Sequence, residues 1–354
     1  MNATTPASDT KAQPRSAARR RRILRRLGCG LKWLGIGSVA ILALGFGFQA
    51  MSVEFDKRGY LPPGQMVNVA GHMMHIHCTG EGSPTVVLEA GAYSYSTEWY
   101  WVQRQISTTN RVCSYDRAGN GWSEPVSGPR DGLPLMRELH DLLHKANIPA
   151  PYVMAGHSLG GILNRIYATQ YPAEVVGIVT VDSAVPQTWP DISGYEKYKA
   201  QNESAYWLLS ALVRFGAARF IIGREFAGYD FPPAIAAELT ALKSTNQAVD
   251  TWDAEVRLAQ WDLARESEAA ENLGSLPVVV LWAGHPEMTA PEDRALLQAI
   301  HDSVPAFSSN TMVRVIDEAD HGSIQGNEQN ARQVSNAIRE VIESERTGQP
   351  LVSN

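Results

Sequence analysis

The run Tyr152-Val153-Met154-Ala155-Gly156-His157-Ser158-Leu159-Gly160-Gly161 constrains this chain more than any other. It reads as an apolar strand that passes through a tight turn straight into a helix. Glycines two residues before and two after Ser158 make the turn feasible, because without Cβ atoms the two backbones can approach closely. A serine at such an apex has its hydroxyl lifted clear of the main chain. The helix beginning near Leu159 aims N–H groups and the positive end of its dipole at the same point. A strand feeding directly into a helix is the repeating unit of a parallel sheet covered by helices.

The rest of the chain alternates in the same way. Strands are expected at Thr85–Leu88, Val112–Tyr115, Tyr152–Ala155, Gly177–Val181, Val278–Trp282 and Met312–Ile316. Helices are expected near residues 99–107, 133–146, 160–170, 291–302 and 328–344. Several strands are apolar on both faces, as a sheet covered on both sides requires. The expected fold is therefore α/β, a doubly wound, mostly parallel sheet. A hairpin precedes it, formed by Met66–Val69 and Met73–Cys78 with Gly71 in the turn. Residues 186–275 interrupt the alternation, and a structureless loop of that length is improbable. They read as a helical cap over the carboxyl edge of the sheet. The cap carries Trp189, Tyr195, Tyr198, Tyr206, Trp207, Phe215, Trp252 and Trp261, most of which are expected to form its own core.

Charge is divided unevenly. Residues 1–32 hold nine Lys or Arg and one Asp, a net of +8, which leaves −14 on the rest of a chain whose total is −6. An acidic body argues against nucleic acid as a partner. The basic segment adjoins a stretch free of charge from Trp33 to Val53, just long enough to cross a hydrocarbon core of about 30 Å. With Arg19–Arg26 in front of it, the positive-inside rule keeps the N-terminus cytoplasmic and sends the remainder across. A retained signal anchor is the first reading. A cleaved secretory signal, with Phe48-Gln49-Ala50 as its site, and a buried core helix are the alternatives. The expected layout is a basic cytoplasmic tail at 1–32, a transmembrane signal anchor at 33–53 and a linker at 54–63. An α/β core at 64–185 and 276–345 follows, with the cap at 186–275 and a tail at 346–354. The catalytic domain would then be extracytoplasmic, periplasmic or at the cell surface.

A serine nucleophile needs a base. Among nine histidines, His321 follows the last strand and precedes the final amphipathic helix, which puts it on the same sheet edge as Ser158. His157 adjoins Ser158, but its side chain should project away from the hydroxyl. His72, His75 and His77 have a loosely metal-like spacing and read instead as strand positions, with His75 and His77 on one face. His140 and His144 share a helix face and read as solvated. No metal and no cofactor is expected. Three carboxylates compete to orient the base: Asp182 at the tip of its strand, Glu287 after the strand Val278–Trp282, and Asp293 if that loop folds back. The oxyanion formed on attack needs two backbone donors, expected from Leu159 and from Ala92 in Glu89-Ala90-Gly91-Ala92-Tyr93.

Gly156-His157-Ser158-Leu159-Gly160-Gly161, taken with Ser114-Tyr115-Asp116-Arg117-Ala118-Gly119-Asn120-Gly121-Trp122-Ser123, resembles the α/β-hydrolase superfamily over residues 64–345. The second segment looks like the family's D-x-x-G-x-G-x-S strand-turn element, which is structural. The Glu-Ala-Gly form of the oxyanion loop is similar to that of bacterial membrane-anchored hydrolases. The resemblance implies a Ser-His-acid mechanism with an acyl-enzyme intermediate and no cofactor. The family's usual Asp after the seventh strand is missing here. Some members carry the acid after the sixth strand, where Asp182 stands.

The resulting expectation is a carboxylic-ester hydrolase acting on a fairly apolar small molecule. A peptidase or amidase, a thioesterase or a cofactor-free perhydrolase would use the same three residues. A non-catalytic membrane-tethered binding module is the alternative outside enzymology. Epoxide hydrolases and haloalkane dehalogenases need a carboxylate where Ser158 stands. Cys78 and Cys113 fall on strands that neighbour each other in this fold, and could pair in an oxidising compartment.

Overall fold

Residues Gln65 to Ile316 build one sheet from eight strands in a computed structural model. It describes residues 15–126, 130–183, 195–268, 272–286 and 308–352, together with 294, 295 and 298. The strands are β1 (Gln65–Val69), β2 (His72–Thr79), β3 (Thr85–Glu89), β4 (Val112–Tyr115), β5 (Tyr152–His157), β6 (Val175–Val181), β7 (Val278–Ala283) and β8 (Thr311–Ile316). Their spatial order is β1-β2-β4-β3-β5-β6-β7-β8. The two pairings β1–β2 and β2–β4 are antiparallel, and the other five are parallel. β1 and β2 form the expected hairpin, turned at Ala70 and Gly71, both with positive φ.

β3, β4, β5 and β7 are buried at every position, which is why these segments are apolar without alternation. Helices α3 (Gly132–Lys145) and α4 (Leu159–Gln170) cover one face, and α2 (Tyr100–Ile106) and α9 (Glu328–Thr347) cover the other. The α3 and α9 patterns are strongly amphipathic. Leu135, Leu139 and Leu142 of α3 enter the first core layer, and Val334, Ile338 and Val341 of α9 enter the second. Each such side chain contributes about 1.5–3 kcal/mol when fully buried.

The chain winds outward from β3 in both directions, to β4 on one side and to β5 and onward on the other. In an open α/β sheet, ligands bind at the carboxyl ends of the strands flanking such a reversal. Here those ends are Glu89-Ala90-Gly91 and His157-Ser158.

Between β6 and β7 lie the cap helices α5 (Tyr195–Arg214), α6 (Ala218–Phe226), α7 (Pro233–Lys243) and α8 (Asn246–Glu268). Val213, Ile222, Phe226, Phe231, Leu239 and Val249 form their core, with Tyr206 and Trp252 half-buried against it. Trp207 and Phe215 are exposed instead, so they are not among the aromatics that fill the cap's interior. Trp189 and the side chains of Tyr195, Tyr198 and Trp261 lie outside the described residues.

Helix α1 runs without a break from Arg15 to Gly59. Its segment Arg22–Gly59 is a candidate membrane span, long and apolar enough to cross, with only 6% of its most apolar window buried. The expected linker at 54–63 is helical as far as Gly59. Nothing in Ser52–Arg58 breaks a helix. Arg58 donates to Glu54 one turn back, and the break comes at Gly59 with Pro62 and Pro63 beyond it.

Candidate active site

The turn after β5 is built as its glycines require. A Cβ on Gly156 would sit 2.4 Å from the carbonyl of Gly160, and one on Gly160 would sit 2.3 Å from the carbonyl oxygen of Glu89. No side chain fits either gap. At the apex Ser158 adopts φ 52°, ψ −120°, a region costly for any non-glycine residue and typical of sites where geometry serves chemistry. The strained residue is held from both sides. Its N–H donates to the Val181 carbonyl at 2.9 Å, and its own carbonyl accepts from Ser183 Oγ at 2.7 Å. Leu159 opens α4 immediately behind it. The loop after β3 closes the front, where a Cβ on Gly91 would lie 3.1 Å from Ser158 Cβ. Ala92 follows in that loop, half-buried against the first core layer.

Asp182 stands one residue past β6, also at positive φ. Its N–H donates to the Leu281 carbonyl, which fixes the side chain at the carboxyl edge between β6 and β7. Oδ1 accepts the Ala283 N–H at 3.0 Å. Oδ2 is 2.6 Å from His321 Nδ1 and 3.2 Å from His285 Nε2. Burial disfavours the carboxylate, but the bonds from His285 and His321 outweigh it and hold the pKa well below the usual carboxylate range. Asp182 is therefore an anion bound to His321 Nδ1, and Nε2 is the nitrogen of a half-exposed imidazole that Asp182 does not engage. Of the three candidate acids Asp182 meets His321, while Glu287 and Asp293 lie outside the described residues, as does all but 294, 295 and 298 of the expected helix 291–302.

Residues 66–337, most of the sequence, match the profile of the alpha/beta hydrolase family. The chain belongs to that family. Curated relatives align over shorter stretches. The probable transporter efuK of Hormonema carpetanum is 32% identical over 133 residues, which cover 35% of this chain and 19% of that protein. The pimeloyl-[acyl-carrier protein] methyl ester esterase of Shewanella oneidensis is 30% identical over 129 residues, 35% of this chain and 46% of the esterase. The chain thus spans less than half the length of these relatives. Among solved structures, the Cif epoxide hydrolase of Acinetobacter nosocomialis superposes with a TM-score of 0.65 at 17% identity, over 82% of this chain and 96% of that one. A thermophilic esterase from Thermogutta terrifontis gives 0.55 at 19% identity, over 80% and 99%. Likeness at this identity concerns the fold.

Within this alpha/beta hydrolase fold, three groups that sequence reasoning left unassigned support the site. The first is a buried charge cluster. Arg117 donates through Nη1 to Glu89 Oε1 and the Ala90 carbonyl, both at 2.6 Å. Through Nη2 it reaches the Gly91 carbonyl at 2.7 Å, and through Nε it reaches Glu255 Oε1 at 2.7 Å. Tyr115 donates its hydroxyl to the other Glu89 oxygen, and Asn120 adds a bond to Glu255. Burial opposes the Arg117 charge, but Glu255 and Glu89 more than offset it and raise its pKa. One guanidinium thereby ties the loop facing Ser158 to cap helix α8. The only sequence signal was a set of charges at the ends of otherwise apolar strands.

The second is His157. Its Nε2–H donates to the His321 carbonyl at 2.8 Å, and its Nδ1 faces the Gln325 amide at 3.2 Å. The expected projection away from the hydroxyl directs it into the loop that carries His321. Burial, reinforced by His321, pushes its pKa down to about 3, so it is neutral and orients that loop. The third is His285, a second imidazole on Asp182. It stands in the segment after β7 where a carboxylate is expected.

Three other described histidines, His75, His140 and His144, meet carboxylates elsewhere in the fold. His75 is buried between Asp116 Oδ2 at 2.8 Å and the Pro63 carbonyl at 2.6 Å. Burial lowers its pKa, but Asp116 outweighs this and raises it. Both ring nitrogens face oxygen acceptors. Asp116 also accepts the N–H groups of Ser96 and Trp122, which gives the D-x-x-G-x-G-x-S element its role of gathering three loops. The expectation that His140 is solvated fails. Its ring stacks on Tyr171 at 4.0 Å and reaches Glu174 at 3.2 Å. His144, more exposed, meets the same carboxylate at 3.0 Å. Cys78 and Cys113 sit opposite each other in the β2–β4 register and are joined by a disulfide.

Proposed function

We propose that this chain is a serine hydrolase of carboxylic esters, anchored in a membrane through residues 33–53, with Ser158 as nucleophile. The observation that carries the reading is the contact between His321 Nδ1 and Asp182 Oδ2 at 2.6 Å, at the sheet edge where the Ser158 turn ends. In the proposed cycle, Ser158 Oγ attacks the ester carbonyl as His321 Nε2 takes its proton. Asp182 fixes the imidazole tautomer and stabilises the imidazolium. The N–H groups of Leu159 and Ala92 stabilise the oxyanion. His321 then returns the proton to the departing alcohol, and water releases the acid by the reverse sequence. No cofactor takes part.

An ester is favoured over other acyl substrates by the similarity to a methyl ester esterase. A fairly apolar one is favoured by the cap. Tyr93, from the loop facing Ser158, packs on Trp252 of α8 at 5.7 Å between ring centres. An epoxide substrate, such as the named activity of one structural neighbour, would call for a carboxylate at position 158. An extracytoplasmic location is supported by the Cys78–Cys113 disulfide, since such bonds persist in oxidising compartments. The arginine-rich flank supports it too. Ser158→Ala is expected to abolish turnover of short p-nitrophenyl esters. Unchanged turnover would remove Ser158 from the mechanism.

A further inference from the structure

The cap does not stand clear of α1. The corner between α5 and α6 packs against it within the stretch that carries no charge. A Cβ on Gly45 would lie 2.9 Å from the Phe215 carbonyl oxygen, and one on Gly216 would lie 2.6 Å from the Phe48 ring. Closer to the charged end, Gln49 Nε2 donates to the Ser244 carbonyl at 2.6 Å. Arg219 bonds Gln49 Oε1 at 3.0 Å and Asp56 Oδ2 at 2.6 Å. The first charge after the apolar stretch is Glu54. At 1.5 Å of rise per residue, Gly45 lies about 13 Å along the helix from it. If α1 spans a bilayer, the α5–α6 corner is at the depth of about one leaflet.

The surface of that corner suits hydrocarbon. Trp207 (70% exposed), Leu208, Phe215, Phe220 (74%) and Ile221 project outward. Between Glu203 and Arg224 the only charges are Arg214 and Arg219. Arg219 is matched by Asp56, and Arg214 donates to Ser210 within its own helix. The pair Ser204–Arg214 and Ala218–Phe226, bent by 106°, is together as apolar as a membrane segment. A cluster of large exposed apolar side chains of this kind on a soluble face would be unusual, and here it adjoins the apolar stretch of α1.

We propose that the α5–α6 corner is embedded in the acyl region of the bilayer beside α1, so that the cap is seated in one leaflet rather than held above it on a tether. The proposal rests on the reading of α1 as a membrane helix. The opposite end of the cap is fixed to the core. Lys243 pairs with Glu98 at 2.9 Å, and Gln247 and Thr251 both donate to the Gly119 carbonyl. The seated corner and the hydrolase core therefore form one assembly with a fixed height above the membrane.

The test uses the full chain carrying Cys29→Ser, reconstituted in phosphatidylcholine nanodiscs, with one nitroxide at a time. The labelled positions are Phe220→Cys and Ile221→Cys in α6, Val39→Cys in α1 and Arg332→Cys on the water-facing side of α9. Power-saturation EPR then compares access by oxygen, which concentrates in lipid, with access by a water-soluble nickel chelate. The expected result is an oxygen-to-nickel ratio at 220 and 221 several-fold above that at 332 and similar to that at 39. A ratio like that of 332 at both α6 positions, with 39 in lipid, would overturn the seating and leave the anchor standing. Labels at 220 and 221 closed to both reagents would mean that protein, such as a second copy, covers the patch, and would also overturn it. Nickel access at 39 would overturn the anchor reading itself.

Discussion

Replacing Arg117 with methionine should do two separable things. The guanidinium is fully buried with Glu89 and Glu255, and it holds the carbonyls of Ala90 and Gly91. Without it two buried carboxylates face each other, uncompensated. Removing one partner of a buried ion pair costs about 3–5 kcal/mol. A domain of this size loses about 2–4 °C of melting temperature per kcal/mol, so the melting point should fall by about 6–20 °C. Catalysis should fall as well, because the loop opposite Ser158 loses two of its anchors. Differential scanning fluorimetry of detergent-solubilised protein reads the first effect, and ester hydrolysis well below the melting point reads the second. A thermodynamic cycle with Glu255→Gln separates the pair from the surrounding packing. The double variant should be less destabilised than the sum of the singles by about 1–3 kcal/mol. Additive losses would refute the claim that Arg117 and Glu255 act as one unit joining the loop to the cap.

Asp182→Asn should lower kcat by about 10⁴-fold while leaving the fold intact, since it frees the imidazole tautomer without changing shape; retention of most activity would return the acid to Glu287 or Asp293. His157 sets an acid limit on stability. Its folded pKa of about 3 lies below the unfolded value of about 6.5, so its contribution is present above pH 6.5 and is lost as pH falls toward 3. At 1.36 kcal/mol per unit the loss by pH 4.5 is about 3 kcal/mol, and the pH dependence of melting in His157→Gln should be shallower by one proton. Reducing the Cys78–Cys113 bond, which spans 35 residues, should cost about 4 kcal/mol by chain entropy, measured as a melting shift with and without reductant.

What was legible in the sequence follows from which forces are local. The all-buried strands β3, β5 and β7 announce themselves as unbroken apolar runs, and the glycines around Ser158 are demanded by contacts within a few residues. The position of Ser158 and His321 at the carboxyl edge could be read for the same reason, each being tied to a strand end. The buried cluster of Glu89, Arg117 and Glu255 could not, because its members are up to 166 positions apart and only tertiary packing brings the charges together. His285 was hidden by the expectation of a carboxylate in its place. The linker became helix because nothing before Gly59 interrupts α1, and the contact that fixes this end, Arg219 with Asp56, crosses from a distant segment. Most of the cap's aromatics are expected inward because aromatics in a cap ordinarily pack, and Trp207 and Phe215 are among those that do not. Phe215 lies against α1, at Gly45, a contact no local pattern announces.

The central claim is that Ser158 is a nucleophile activated by His321. Treating the solubilised full chain with a fluorophosphonate probe and mapping the adduct by mass spectrometry tests it directly. The account predicts one adduct, on Ser158, formed in step with loss of ester hydrolysis and absent from His321→Ala. An unlabelled Ser158 in protein that still hydrolyses esters, or labelling undiminished in His321→Ala, would contradict it.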